Sequence, residues 1–152
     1  MGVATVQAML RAIGNVLWFL LAGLWLALGY ALAGIVLCIT IIGIPFGIQA
    51  FKLAGFTVWP FGKTVMRTPD GGVLEVVFNI LWLVLFGWAI FLSHLVAGVV
   101  LCITIIGIPF GIQAFKLSVF ALWPFGRVVA PVGALPPGAV VTYAVPTDPT
   151  AR

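Results

Sequence analysis

VLCITIIGIPFGIQAFKL, residues 36–53, recurs letter for letter at residues 100–117. Identity over eighteen residues is not a product of apolar composition alone, so the chain carries two copies of one structural unit, 64 positions apart. Outside the identical stretch the match continues more weakly. Asn15-Val16-Leu17-Trp18 answers Asn79-Ile80-Leu81-Trp82, Trp59-Pro60-Phe61-Gly62 answers Trp123-Pro124-Phe125-Gly126, and Lys63 answers Arg127. These pairs bound the repeats at residues 14–63 and 78–127. Residues 64–77 hold Arg67, Pro69, Asp70, Gly71, Gly72 and Glu75, the most polar part of the chain, and predict a cytoplasmic linker. Residues 131–152 contain five prolines and few large apolar side chains, which predicts a flexible tail.

Of the 152 residues 64% are hydrophobic and only 7% are charged, against about a quarter charged in a soluble domain. Ten charged side chains cannot cover that much apolar surface in water, so lipid must be the solvent for most of it. Backbone groups facing lipid need internal hydrogen bonds, and only helices or a closed barrel provide them. The apolar runs are continuous, with no period of two, which excludes the barrel. The expected fold is all-α and integral to the membrane. The net charge of +4 comes from singly spaced residues, Arg11, Lys52, Lys63, Arg67, Lys116, Arg127 and Arg152, with no basic cluster, so a nucleic-acid partner is not expected. The run after Arg11 is too long for the apolar core of a signal peptide and is taken as a permanent span.

A spanning helix needs about 20 apolar residues, and each repeat holds enough for two. The expected spans are residues 13–30 and 33–51, then 77–94 and 97–115, about four in all, joined by short connections at residues 29–32 and 93–96. Two crossings per repeat return the chain to its starting side and gather every Lys and Arg there. That side is cytoplasmic by the positive-inside rule, with both termini on it. In a competing geometry the second segment of each repeat breaks at Gly43-Ile44-Pro45 and only re-enters the bilayer; charge does not separate the two. Residues 52–61 and 116–125 are expected to lie along the cytoplasmic interface, stopped by Trp-Pro.

On a helical wheel through the second span, Cys38, Ile42, Pro45, Gln49 and Lys52 fall on one side. Thr40, Gly43, Gly47, Ala50 and Ala54 fall on the other. The second copy repeats both stripes, with Cys102, Pro109, Gln113 and Lys116, then Thr104, Gly107, Gly111, Ala114 and Ser118. Gly43, Gly47, Gly107 and Gly111 read as sites of close helix packing. Gln49, Lys52, Gln113 and Lys116 read either as an interhelical hydrogen bond and a snorkelling cation or as walls of a hydrated path. Pro45 and Pro109 interrupt the second helix of each copy, a packing kink or a pointer to a transport site. Asn15 and Asn79 read as helix N-caps, and His94, whose counterpart is Tyr30, as an interfacial residue rather than a proton switch. Cys38 and Cys102 have no metal-ligand spacing; the spacing leaves a disulfide between them open. Asp70, Glu75 and Asp148 are the only carboxylates and lie outside the expected spans. No catalytic set, cofactor motif or metal site is therefore expected, and no enzyme.

The segments IIGIPFGIQAFKL, ALWPFGR and NILWLVLFGW resemble the YccF family of bacterial inner membrane proteins, defined by an inner membrane component domain that often occurs as two tandem copies. The resemblance runs over about residues 14–130, on GIPxG, a following FK and then WPxG. His94, ahead of AGVVLCITIIGIP, stands where a family histidine is expected, whereas Gln113 and Ala114 fall in a stretch expected to vary. The resemblance implies residence in the bacterial inner membrane and a multi-span helical domain, but no particular activity. From the residues, the leading expectation is a homo-oligomeric channel or transporter-like protein, passing an ion or small solute. Four spans are too few for a generous pore within one chain. The alternative is a scaffold or accessory subunit that binds another membrane protein or lipid through its small-residue faces.

Overall fold

A computed structural model of the protein describes residues 2–67, 72–132, 134 and 140–143. Helix α1, Val3–Cys38, is a single run of 36 residues, about 54 Å long at the helical rise. Its repeat counterpart α3 is Val73–Cys102. Each is widened for one turn by a π segment, Phe19–Gly23 and Leu83–Gly87. Helices α2, Ile44–Val58, and α4, Ile108–Leu122, double back along α1 and α3. Strands β1, Lys63–Arg67, β2, Arg127–Pro131, and β3, Val140–Tyr143, form an antiparallel sheet in the order β2-β1-β3.

The repeats are helical hairpins, but their turns lie elsewhere than expected. Residues 29–32 and 93–96, read as connections, are helical, and the chain turns at residues 39–43 and 103–107 instead. The apolar run holds no residue that stops a helix before Cys38. What ends α1 is a local set of bonds: Thr40 Oγ1 donates to the Leu37 carbonyl and accepts from the Gly43 N–H. The same bonds recur at Thr104. Gly43 and Gly107 are tucked against the carbonyls of Leu37 and Leu101, where a Cβ would collide. Pro45 and Pro109 therefore do not break a helix. They sit in the first turn of α2 and α4, where a missing N–H costs nothing. The wheel drawn through residues 38–52 joins two helices across this turn, so its stripes are not continuous faces.

An all-α fold is also corrected, by the sheet. Residues 64–77, expected to be a linker, include most of β1 and the first residues of α3. The tail expected to be flexible contributes β2's last residue and β3; most of the rest of residues 131–152 lies outside the described residues. The segments 52–58 and 116–122 continue their helices rather than forming separate interfacial pieces.

Within each hairpin the helices touch through small residues. A Cβ on Gly47 would press on Cys38 Sγ and come 2.8 Å from the Gly34 carbonyl; on Gly111 it would meet Cys102 Sγ and lie 2.7 Å from the Gly98 carbonyl. Gly34 and Gly98 are in turn covered by the rings of Phe51 and Phe115. Lipid supplies no hydrophobic drive between helices, so such close backbone packing is what joins them.

The two hairpins are related by a local two-fold. Three pairs join a residue to its own repeat counterpart: Tyr30 with His94 at 5.7 Å between ring centroids, Phe56 with Phe120 at 5.5 Å, and Val65 with Val129 across the sheet. A residue can meet its own counterpart only near the symmetry axis. Off the axis, contacts come in matched pairs, Phe46 with Phe125 at 5.7 Å and Phe110 with Phe61 at 6.0 Å. The core gathers Trp18, Trp82, Phe56, Phe120, Leu53 and Leu117 and runs on to Phe46 and Phe110, just past the turns, which pack on Phe125 and Phe61 of the other repeat. The turns carry bare isoleucines instead, with Ile41 86% and Ile105 87% exposed. Three stretches, Val3–Cys38, Val73–Cys102 and Ile105–Leu122, are long and apolar enough to cross a membrane; Ile44–Val58 is shorter.

Gly47→Ala should loosen the first hairpin by about 1–3 kcal/mol, because the added methyl meets a backbone carbonyl that cannot move aside. Gly55→Ala, whose Cβ meets nothing within 4 Å, should be neutral or stabilising by up to about 1 kcal/mol through helix propensity. Unfolding in detergent followed by circular dichroism separates the two.

Candidate functional site

Two polar constellations stand out inside the apolar bundle, one at its base and one between the repeats. At the base, Asn15 and Asn79 are 1% and 0% exposed and lie inside their helices, not at the N-termini. Asn15 Nδ2 donates to the Phe61 carbonyl at 2.9 Å and its Oδ1 accepts from the Phe61 N–H at 2.9 Å. Asn79 does the same with Phe125, at 3.3 and 3.0 Å. Each side-chain amide thus pairs both backbone groups of one turn residue, as a neighbouring strand would. One turn further on, Trp18 Nε1 donates to the Thr57 carbonyl at 2.6 Å and Trp82 Nε1 to Ala121 at 2.7 Å. The π segments make room for these indoles. Five residues on, Gly23 lies so close that a Cβ there would be 2.6 Å from the Trp18 ring, and Gly87 faces Trp82 alike. The N-cap reading of the asparagines is therefore replaced by a clamp of Asn, Trp and Gly in each copy. Its target is the Trp-Pro-Phe-Gly turn, where Gly62 and Gly126 take φ of 89° and 70°, in the left-handed region that favours glycine.

The residues expected to line a path are dispersed. Lys52 Nζ donates to the carbonyls of Pro124 at 2.6 Å and Arg127 at 3.0 Å, which ties the first repeat to the second, and lies 5.9 Å from the centre of the Phe120 ring. Lys116 makes no matching bond among the described residues. Gln113 is 4% exposed, and Gln49 Oε1 is enclosed without a hydrogen-bond partner. Pro45 is half-buried and Pro109 exposed, both at helix starts. Outside the helices, Lys63 donates to the Gly55 carbonyl at 3.4 Å, and partial burial holds its amine below the usual lysine value. Cys38 and Cys102 are free thiols.

The second constellation surrounds a groove of about 340 Å³ between α1 and α3, lined by Trp25, Leu26, Tyr30, Ile90, Ser93 and His94 among others. Tyr30 and His94 are 4% and 0% exposed and meet on the two-fold, their rings tilted by 49°. His94 is thus enclosed in the bundle, not interfacial. Its Nδ1 lies 3.1 Å from the Ile90 carbonyl, and a carbonyl can only accept, so Nδ1 carries the proton and Nε2 of the neutral ring is an acceptor. Both Nε2 and Tyr30 Oη are buried without a hydrogen-bond partner. Sequence reasoning passed over this site. The available signal was a pair of polar aromatics at one repeat position, in the middle of the longest apolar runs. Among the described residues no group of three or more His, Cys, Asp or Glu side chains could hold a metal ion.

Asn79→Ala removes one clamp and leaves the Phe125 N–H and carbonyl without this partner. The expected loss is about 1–3 kcal/mol, read as a lower unfolding midpoint in detergent; an unchanged midpoint would show that the clamp is dispensable.

Residues 13–63 and 77–127 each match the inner membrane component domain of the YccF family. The chain is 36% identical over 136 residues to the inner membrane protein YccF of Escherichia coli (strain K12), an alignment covering 81% of this chain and 89% of that protein. It is similar to the same degree, over the same shares, to the YccF protein of Shigella flexneri. No solved structure matches. With the family domain present twice over most of its length, in two helical hairpins bearing long apolar helices, the chain belongs to the YccF family of inner membrane proteins.

Proposed function

We propose that this inner membrane protein is a homo-oligomeric, transporter-like protein whose ligand sits between its two repeats. The observation that carries this reading is the groove on the two-fold, with two buried polar atoms that nothing in the described chain satisfies. Transporters built from parallel repeats commonly bind their substrates at the repeat interface. Paired polar residues deep in an apolar bundle are costly unless they have a task. No charged residue lines the groove, which favours a neutral ligand over an ion. The long exposed rows of Leu, Val and Ile on α1 and α3 suit contact with lipid and with further copies.

In this reading α1 and α3 enter the bilayer and α2 and α4 bring the chain back, so that the sheet and both termini share the cytoplasmic side. Helix α2 has 15 residues, about 22 Å, short of a hydrocarbon core of about 30 Å. The exposed isoleucines at the turns favour tips that end in lipid rather than in water, a re-entrant return. A scaffold role is the second reading, supported by those same bare tips, which could seat against another membrane protein.

In proteoliposomes the protein should raise permeability to a small neutral solute such as glycerol more than to potassium or chloride. Gly29→Phe, which puts a ring into the groove from a position whose Cβ meets nothing within 4 Å, should lower that flux about tenfold, a change of about 1.4 kcal/mol. A folded, oligomeric sample without selective flux would count against transport and leave the scaffold reading. In a Cys38→Ala/Cys102→Ala background, Arg67→Cys should react with an impermeant maleimide only from the cytoplasm, and Thr40→Cys from neither side. Periplasmic labelling of Arg67→Cys would overturn the topology.

A further inference from the structure

We infer that the corner of the sheet where Arg67 and Arg127 meet is a binding site for one anionic phospholipid, held by its headgroup phosphate. The inference goes beyond the groove between the repeats and rests only on the reading that puts the sheet on the cytoplasmic side of the membrane.

The strand register sets the cations. Arg67 of β1 pairs directly with Arg127 of β2, so both side chains leave the sheet on one face, about 5 Å apart at Cβ, where like charges repel. That face is the inner one. Residues two apart on a strand share a face, and Val65 and Val129 pack into the core. Arg67 and Arg127 therefore turn back toward the helices, and so toward the bilayer. Lys63 on the same strand takes the same direction, since its Nζ reaches the Gly55 carbonyl of α2 at 3.4 Å. A third cation rises to the corner from α2. Lys52 Nζ donates to the carbonyls of Pro124 and Arg127 at 2.6 and 3.0 Å, which uses two of its three protons. Among the described residues neither arginine side chain forms an ion pair or a hydrogen bond, and Arg127 Nη1 is enclosed without a partner. The carboxylate nearest in the chain, Glu75, lies against Gly126 and offsets only one of the three charges. An anion seated between the guanidiniums removes their repulsion and supplies the missing acceptors.

The surroundings make that anion a lipid. Ile48 sits one turn from Lys52 on the same side of α2 and is 56% exposed, and Phe51 beside it is 42% exposed. A phosphate held at Lys52 thus has an apolar path for acyl chains leading from it toward the turn, which a free phosphate would not use. A phosphodiester brings one negative charge, with oxygens that match the flat fork of a guanidinium. A zwitterionic headgroup would carry its own ammonium into a cluster of cations, so an anionic one is selected. The facing pair of arginines occurs once per chain. At the other end of β1 the register sets Lys63 against Pro131, a single cation where this corner has two.

The test is native mass spectrometry of the full-length protein released from detergent micelles. The probes are phosphatidylglycerol and phosphatidylcholine with the same acyl chains, and inorganic phosphate is the competitor. One phosphatidylglycerol should be retained per chain, about tenfold more tightly than phosphatidylcholine, a difference of about 1.4 kcal/mol. Arg67→Gln and Arg127→Gln should each erase that preference, and Arg67→Lys should keep most of it. Lys63→Gln, which removes the same charge from the other end of the strand, should leave it unchanged. Equal retention of the two lipids by the unmodified protein would overturn the assignment without need of any variant. So would a loss in Lys63→Gln as large as in Arg127→Gln, which would show diffuse charge rather than a site. Displacement of the lipid by millimolar inorganic phosphate would give the corner to a free anion instead. Micelles impose no orientation, so this result stands apart from the topology. A retained phosphatidylglycerol with periplasmic labelling of Arg67→Cys would keep the site and sink the topology; cytoplasmic labelling with no lipid preference would do the reverse.

Discussion

In a protein solvated by lipid, an unpaired backbone amide has no water to turn to, and the rest of this fold is arranged around two places where that problem is solved by asparagine. Asn15 and Asn79 each bond both backbone groups of a turn residue, Phe61 and Phe125. That pins the end of each hairpin to the helix that began it. The neighbouring Trp18 and Trp82 indoles bond the last turns of α2 and α4, and the π segments exist where those rings need space. With the turn held and glycine supplying its positive φ, the chain leaves each hairpin in a fixed direction, as a strand. Without a directed exit β1 and β2 would not meet.

Their meeting is what makes one molecule of two hairpins. Equivalent strands pair antiparallel about Val65 and Val129, and Phe56 packs on Phe120 below them. Lys52 adds a bond across to the second copy's turn that Lys116 does not return, so the duplication has already departed from symmetry there. The same axis continues to Tyr30 and His94, where the copies differ: one carries a phenol and the other an imidazole.

The exposed isoleucines of the turns stand outside this packing. A turn facing water is ordinarily polar, and these carry only Thr40 and Thr104, whose hydroxyls are spent on the turn itself. The chain ends its outward path with local bonds and apolar side chains, an arrangement suited to a lipid environment.

The duplication, the helical hairpins and the membrane as solvent could all be read from the letters, because composition and an identical repeat depend on no partner. Close packing at Gly47 and Gly111 was legible for the same reason: a glycine at a fixed place in both copies announces a near neighbour. The turn at residues 39–43 was not, because an unbroken apolar run hides where a helix stops until Thr40 and Gly43 are seen to bond. Nor was the role of Asn15 and Asn79, whose partners lie 46 residues away, or of Lys52, whose partners lie in the other copy. The pairing of strands and of Tyr30 with His94 was settled only by tertiary structure. Both depend on how the copies are turned toward each other, and a repeat in one dimension does not specify its symmetry axis in three.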